Sequence, residues 1–419
     1  MESLRAAPAS AADLTPSPWA ALALDLPRYH GPMSDGRVEG FLDRLAALAP
    51  VELPVLTGLS DAAARLAALD VLMVEAFVRR HDPALDSAVA ATLESAVQAV
   101  AARMGTLPIL SYPFYVRANP TPLAEMRRFT PTEAEYRFIR MHRLIEEAFD
   151  RIIERLETVL SAGDRRAALA DAFDGLADEL RLAGRVMAGL RSQARLPREV
   201  FTDGFRPYFD SRRDPASGEV VYAGPSGLQS PTYRLIAMLV GYRDELLDGW
   251  TERIAPYHEP STRQRLQCAR SARDAGRSLA GIADDVLGAG PAWPRLHPAY
   301  GAHIPRLVEL ARRRGCLSAD VPAVLRAHAI TLGVWPAGAP QSDGLPGTRG
   351  QVELDEPARA DLARLAEIEA MLFAFHLEHV ATTAVQIGHV AGTGGTSGVE
   401  FLLLATFRRA FPGIWDVGV

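Results

Sequence analysis

The sequence predicts an all-α fold, on three observations. Ala, Leu, Arg and Glu dominate the 419 residues, apolar positions recur at spacings of three and four over long windows, and strand-type alternation is scarce.

Residues 1–20 read as a loose tail, and helical spacing follows at about 35–50, 59–80 and 84–104. TLPILSYPFYVRANPTP then breaks the pattern. Its prolines and aromatics predict an extended strap that covers something, not a helix. A domain boundary is expected near residue 121, between a small N-terminal helical domain with its strap (1–120) and a large helical domain (121–419).

The large domain opens with a capping-box signal, Thr132 followed by Glu135. Phe138, His142, Ile145, Phe149, Ile152 and Leu156 then form one apolar stripe. Further helices are predicted at about 166–193, 231–254, 260–286, 303–314 and 320–330. Two irregular segments, about 207–230 and 335–356, interrupt them; loops this long in a compact domain are usually functional. The strongest helical pattern spans 356–388, where Leu365, Ile368, Leu372, Phe375 and His379 share a face that Thr383 and Ile387 continue. It ends at Gly388, and the loop GTGGTSG follows at 392–398.

Composition narrows the function. Hydrophobic residues are 48% and charged residues 23%, values that suit a globular chain and not a disordered one. A net charge of −6, with no basic run carrying aromatics, argues against a nucleic-acid partner. The two cysteines, Cys268 and Cys316, form no CxxC, which argues against structural zinc or an iron–sulfur cluster and fits a reducing compartment. With no signal-peptide pattern and no apolar run of about 20 residues, the expected location is cytoplasmic, without membrane contact.

Several residues invite chemistry. His379, on an apolar stripe, either hydrogen-bonds inside the core or binds a ligand, because a buried unsatisfied imidazole is costly. His376 lies one turn away, but Glu-x-x-His and HEXXH are both absent, so a di-iron bundle site is not expected. A single axial histidine to a planar cofactor remains open. His142 presents the same choice on another helix. Arg206, in FTDGFRPYF, is placed either to clamp a carboxylate or to be solvated. GTGGTSG fails the Walker and Rossmann spacings; it reads as a loop whose amides and hydroxyls approach a polar ligand.

Together these pieces resemble the haem-dependent tryptophan and indoleamine dioxygenase families. HVATTAVQIGHVAGTGGTSGVEFLLL is similar to the tryptophan dioxygenase pattern of a histidine, an Ile-Gly ending nine residues later, and GTGG[ST]. The closing FPGIWDV is similar to that family's FPELW-type ending. The resemblance implies haem b held by His379 as the axial iron ligand, with Gly392 and Gly394 beside the cofactor and Thr393 on the substrate's amino-acid group. FHLEHV also resembles the indoleamine dioxygenase YHLQIV, which would make His376 the ligand; the ungapped match through Ile387-Gly388 favours His379.

FIRMHRLIEE resembles the stretch FxxxHQxxEL, which implies that His142 lies near the indole nitrogen; Arg143 replaces the glutamine. FTDGFRPYF resembles the carboxylate-binding segment, with Arg206 as the clamp and Phe201 as a pocket aromatic. LPILSYPFYVRAN resembles the indoleamine dioxygenase strap LPPILVYADCVLAN, which places Tyr112, Tyr115 and Val116 at the pocket. The mixture resembles a bacterial branch that includes the tryptophan-rearranging enzyme of the pyrrolnitrin route. The implied fold is a large helical haem-binding domain with a smaller N-terminal helical one. The implied function is oxidation of L-tryptophan or a substituted tryptophan, with dioxygen inserted across the indole C2–C3 bond and an unknown reductant keeping the iron ferrous. Monooxygenation or rearrangement of a modified tryptophan in secondary metabolism, and a haem oxygen sensor, are the alternatives. Either a monomer or a homo-oligomer is compatible with the sequence.

Overall fold

Helix begins earlier than the spacing suggests. The computed structural model describes residues 18–30, 35–48, 53–81, 85–214, 216–242, 245–287, 308–327 and 354–387. Its first element, α1 (Pro18–Tyr29), starts inside the segment that reads as a loose tail. Pro18 sits in the first turn, where a missing N–H costs nothing, and Trp19, Leu22 and Leu26 are buried along one face. Next come α2 (Asp35–Ala46), the short α3 (Leu53–Thr57), α4 (Asp61–His81) and α5 (Ser87–Met104). Asp86 caps α5 through the Ala88 amide, and Gly105 closes it with φ 62°.

The strap is not extended. Pro113–Ala118 form one π-helical turn that buries Phe114, Tyr115 and Val116. Proline at the first position pre-sets φ, so a proline-containing segment can still start a turn. In α6 (Glu133–Ser161) only half of the expected capping box forms: Thr132 Oγ1 accepts from the Glu135 amide at 3.4 Å. The buried Glu135 carboxylate instead reaches the amides of Phe129 and Thr130 (2.8 and 2.6 Å) and the Tyr115 hydroxyl (2.7 Å). It therefore ties the strap to the start of α6.

Helix α7 (Arg165–Gly189) packs along α6. A π turn (Val200–Phe205) and a 3-10 turn (Arg206–Phe209) follow, then a two-stranded antiparallel hairpin, β1 (Arg212–Arg213) with β2 (Val220–Tyr222). The single helix expected over 231–254 is two, α8 (Pro231–Val240) and α9 (Glu245–Ile254). Gly241, at φ 108°, ends the first; a Cβ there would meet Ala280 Cβ at 2.5 Å. The segment 260–286 is likewise divided, into α10 (Pro260–Asp274) and α11 (Leu279–Leu287), with Gly276 at φ 75° between them. Residues 308–313 belong to α12, and α13 (Val321–Ala327) follows. The 32-residue α14 (Glu356–Ile387) is buried on nearly every side, against α7, α11 and α13.

The fold is thus all-α. One core cluster runs from Trp19 to Ala384, drawing on side chains from both sides of residue 121. No helix among the described residues is long and apolar enough to cross a membrane. Of the second long irregular segment, 335–353 lie outside the described residues.

Candidate active site

Helix α14 enters the site because its last turns are pinned to α7 and the segment that follows it. Thr382 Oγ1 donates to the Met187 carbonyl (3.1 Å), and Gln386 Nε2 donates to the carbonyls of Leu190 and Leu196 (2.8 and 3.2 Å). Glu378, fully buried beside His379, is paired with Arg191 and accepts from the Ser318 amide at 2.6 Å. These contacts fix the rotation of the helix, and His379, Thr382, Thr383, Gln386 and Ile387 then line one half-open cavity of about 160 Å³.

Residues distant in the chain form the other walls. Tyr112 and Tyr115 come from the strap, Phe138 and His142 from α6, and Phe201, Arg206 and Phe209 from the two turns after α7. Met187, Leu190, Leu196 and Leu228 add apolar surface. Six residues singled out from the sequence, Tyr112, Tyr115, His142, Phe201, Arg206 and His379, therefore meet in one place. Val116 is buried in the core and does not line the cavity. Gly392, Thr393 and Gly394 lie outside the described residues.

His142 Nδ1 lies 2.9 Å from the Phe138 carbonyl. A carbonyl only accepts, so Nδ1 carries the proton and Nε2 keeps its lone pair. Burial holds this imidazole below its ordinary pKa, against the Phe138 bond and the Glu146 charge, so the ring is neutral near pH 7. Tyr112 stands edge-on to it, ring centres 6.0 Å apart at 74°. Phe138 packs at 4.1 Å from the same ring and at 5.5 Å from Phe201. Burial also lowers the pKa of Arg206, with Asp210 opposing.

His379 is pushed down to about 4, first by burial and then by the facing His142. None of the described residues hydrogen-bonds its ring. His376 is placed differently: it is buried outside the cavity, with the Tyr233 hydroxyl 3.0 Å from Nδ1 and 2.8 Å from Nε2. One histidine is thus held within the core, and the other offers a neutral donor to the cavity.

The donor chemistry, though not the free volume, would suit one histidine ligand to a planar metal cofactor: an uncharged imidazole on a buried helix, facing apolar and aromatic walls. Among the described residues no group of three His, Cys, Asp or Glu side chains could hold a bare ion. The free volume matches one aromatic ring, since a cavity of about 150 Å³ takes benzene. A tetrapyrrole is larger than that, so the walls would have to part to admit it.

Phe138, Phe209 and Gln386 were not assigned to the site from the sequence. Gln386 follows His379 by seven residues, two helical turns, and that spacing alone places it on the same face.

Among known proteins, the chain is similar to tryptophan 2,3-dioxygenases of Bacillus thuringiensis, Bacillus cereus and Bacillus anthracis. Each is 41% identical to it over 54 residues, which are 13% of this chain and 19% of the relative. The chain therefore spans about a fifth of the length of the curated relatives it matches. No protein-family model matches it.

Proposed function

We propose that this chain binds haem b through His379 and oxidises an indole amino acid, L-tryptophan or a substituted tryptophan, by inserting dioxygen across the indole C2–C3 bond. The observation that carries the proposal is the convergence of His379, His142, Arg206, Phe201 and the strap tyrosines on one cavity. The short similarity to tryptophan 2,3-dioxygenases supports the same reading.

When bound, the haem supplies the activation of dioxygen. The chain's own residues do the rest. Arg206 meets the substrate carboxylate with a fork that can form two parallel bonds. His142 Nε2, left as an acceptor by the Nδ1–H bond to Phe138, takes the indole N–H and so sets the ring's rotation. Removal of the indole proton is not required of it, since a neutral imidazole is far too weak a base. Phe201 and Phe209 supply the apolar faces that hold a flat ring and keep water out. Monooxygenation or rearrangement would use the same residues, and analysis of the product separates these outcomes. The arginine in the cavity favours an amino-acid ligand over an oxygen sensor, which has no use for a carboxylate clamp.

The test is the visible spectrum of the full chain reconstituted with haem. His379→Ala should lose the haem or hold it weakly, whereas His376→Ala should keep the wild-type spectrum. A reversed result would overturn the ligand assignment. A wild-type chain that takes up no haem would overturn the function.

A further inference from the structure

Glu146 stands one helical turn beyond His142 on α6 and is 1% exposed. Its carboxylate accepts four hydrogen bonds from two other places in the chain. Oε1 takes the Tyr112 hydroxyl (3.1 Å) and the Ser230 hydroxyl (2.7 Å). Oε2 takes the Thr232 hydroxyl and the Arg117 guanidinium, each at 2.7 Å. A carboxylate has about four lone-pair sites, so this one is saturated. Arg117 also pairs with Asp150 at 3.1 Å, so one buried guanidinium bridges two carboxylates. The strap, the start of α8 and the helix bearing His142 are joined at one side chain.

One of those contacts reaches the cavity wall. Tyr112 lines the cavity and stands edge-on to His142. A carboxylate can only accept, so the phenol proton is directed at Glu146. Burial and the adjoining charge both hold that phenol protonated. The hydroxyl proton is thereby spent on the protein, and Tyr112 can offer a ligand its ring and an oxygen lone pair but no donor.

We propose that Glu146 is a positioning residue of this cavity: through the Tyr112 hydroxyl it fixes the aromatic wall against His142 and withdraws that hydroxyl's proton from the ligand. With the phenol proton spent and His142 Nδ1–H bonded to Phe138, this wall presents acceptors only, which selects an indole orientation that turns its N–H toward it. The proposal rests on the reading of this cavity as the ligand site, but its test uses no ligand, so the two fail separately.

The test is the ¹H–¹³C spectrum of the full chain labelled at the histidine ring carbons, with the His142 signals identified by their loss in His142→Ala. The edge-on tyrosine imposes a ring-current shift on those protons, and Tyr112→Leu abolishes it. Glu146→Gln should move the His142 signals in the direction of Tyr112→Leu. Tyr112→Phe, which keeps the ring and the carboxylate and loses only the hydroxyl, should move them the same way by less. Thr232→Val, which removes a different donor to Glu146, should leave them in place. Should Glu146→Gln fail to fold, Tyr112→Phe carries the test. Wild-type His142 signals in Tyr112→Phe, or an equal displacement in Thr232→Val, would make Glu146 a structural tie only and overturn the proposal.

Discussion

Replacing Arg206 with alanine tests whether the cavity recognises an amino acid. Arg206 lines the cavity half-buried, and burial lowers its pKa against the opposing Asp210 charge, so the guanidinium is partly desolvated before any ligand arrives. Two unit charges 4 Å apart attract by about 1 kcal/mol in water and about 4 kcal/mol at an effective dielectric of 20. Truncating one partner of a buried, hydrogen-bonded pair costs about 2–5 kcal/mol. Half-burial points to the lower end, about 2–3 kcal/mol, or roughly 30–150-fold in affinity. Calorimetric titration of the haem-loaded chain with L-tryptophan and with tryptamine separates the carboxylate from the ring. Arg206→Ala should weaken L-tryptophan by that factor and leave tryptamine, already weak, almost unchanged. Arg206→Lys should recover little, because a point charge cannot reproduce the bidentate fork. Equal losses for both ligands would show that the arginine only shapes the cavity, and the clamp would have to be sought elsewhere.

Other perturbations follow from the same geometry. His142→Ala should leave the visible spectrum of the resting haem-loaded chain intact and lower turnover of the indole substrate by about 10–10³-fold, as for a positioned hydrogen-bonding group; unchanged turnover would remove it from the site. Burial holds His258 and His379 near 4, below the ordinary 6.5, so the unfolded chain binds their protons first. Stability of the haem-free chain should therefore be level above about pH 6.5 and fall as pH drops from there toward 4; urea midpoints that stay constant from pH 7 to 5 would contradict this. His258→Phe should flatten part of that slope, since neither ring nitrogen of this buried histidine has a hydrogen-bond partner among the described residues. Gly241→Ala should lower stability by about 2–4 kcal/mol, from a left-handed backbone combined with overpacking. A Cβ there would lie 2.5 Å from Ala280 Cβ and 2.7 Å from Ser278 Oγ, and an unchanged denaturation midpoint would refute this reading.

The parts of the fold legible in the sequence are those written as long periodic stripes. The α6 stripe ending in Ile145, Phe149, Ile152 and Leu156 is buried as its spacing requires, and α14 is helical over Glu356–Ile387, within the predicted 356–388. Short elements held by tertiary contacts were not legible. Helix α1 has only 12 residues and carries Pro18 and Pro27, so local preference argues against it; burial of Trp19, Leu22 and Leu26 outweighs that preference. The strap turn and the partners of Glu135 depart from local preference for a related reason. The carboxylate that could have completed a capping box found a better set of donors in Phe129, Thr130 and Tyr115. Gly241 and Gly276 end helices by adopting positive φ, while Gly184 and Gly189 remain inside α7 or at its end without doing so. Nothing in the one-letter code separates the two kinds.

The choice between His376 and His379 shows most plainly where periodicity runs out. At about 100° per residue, His376 lies about 60° from His379 around the helix, on the side of Thr383, itself about 40° away. Thr383 lines the cavity and His376 does not. Angle therefore cannot distinguish them. Height along the axis can: His376 lies about 4.5 Å nearer the helix N-terminus. At that level Tyr233, from the third position of α8, puts its hydroxyl between 2.8 and 3.0 Å from both ring nitrogens. Helix α8 in turn starts where Ser230 and Thr232 are held by Glu146, one turn past His142. The carboxylate beside the cavity's first histidine thus anchors the helix that occupies His376, and His379 is the histidine of α14 that reaches the cavity.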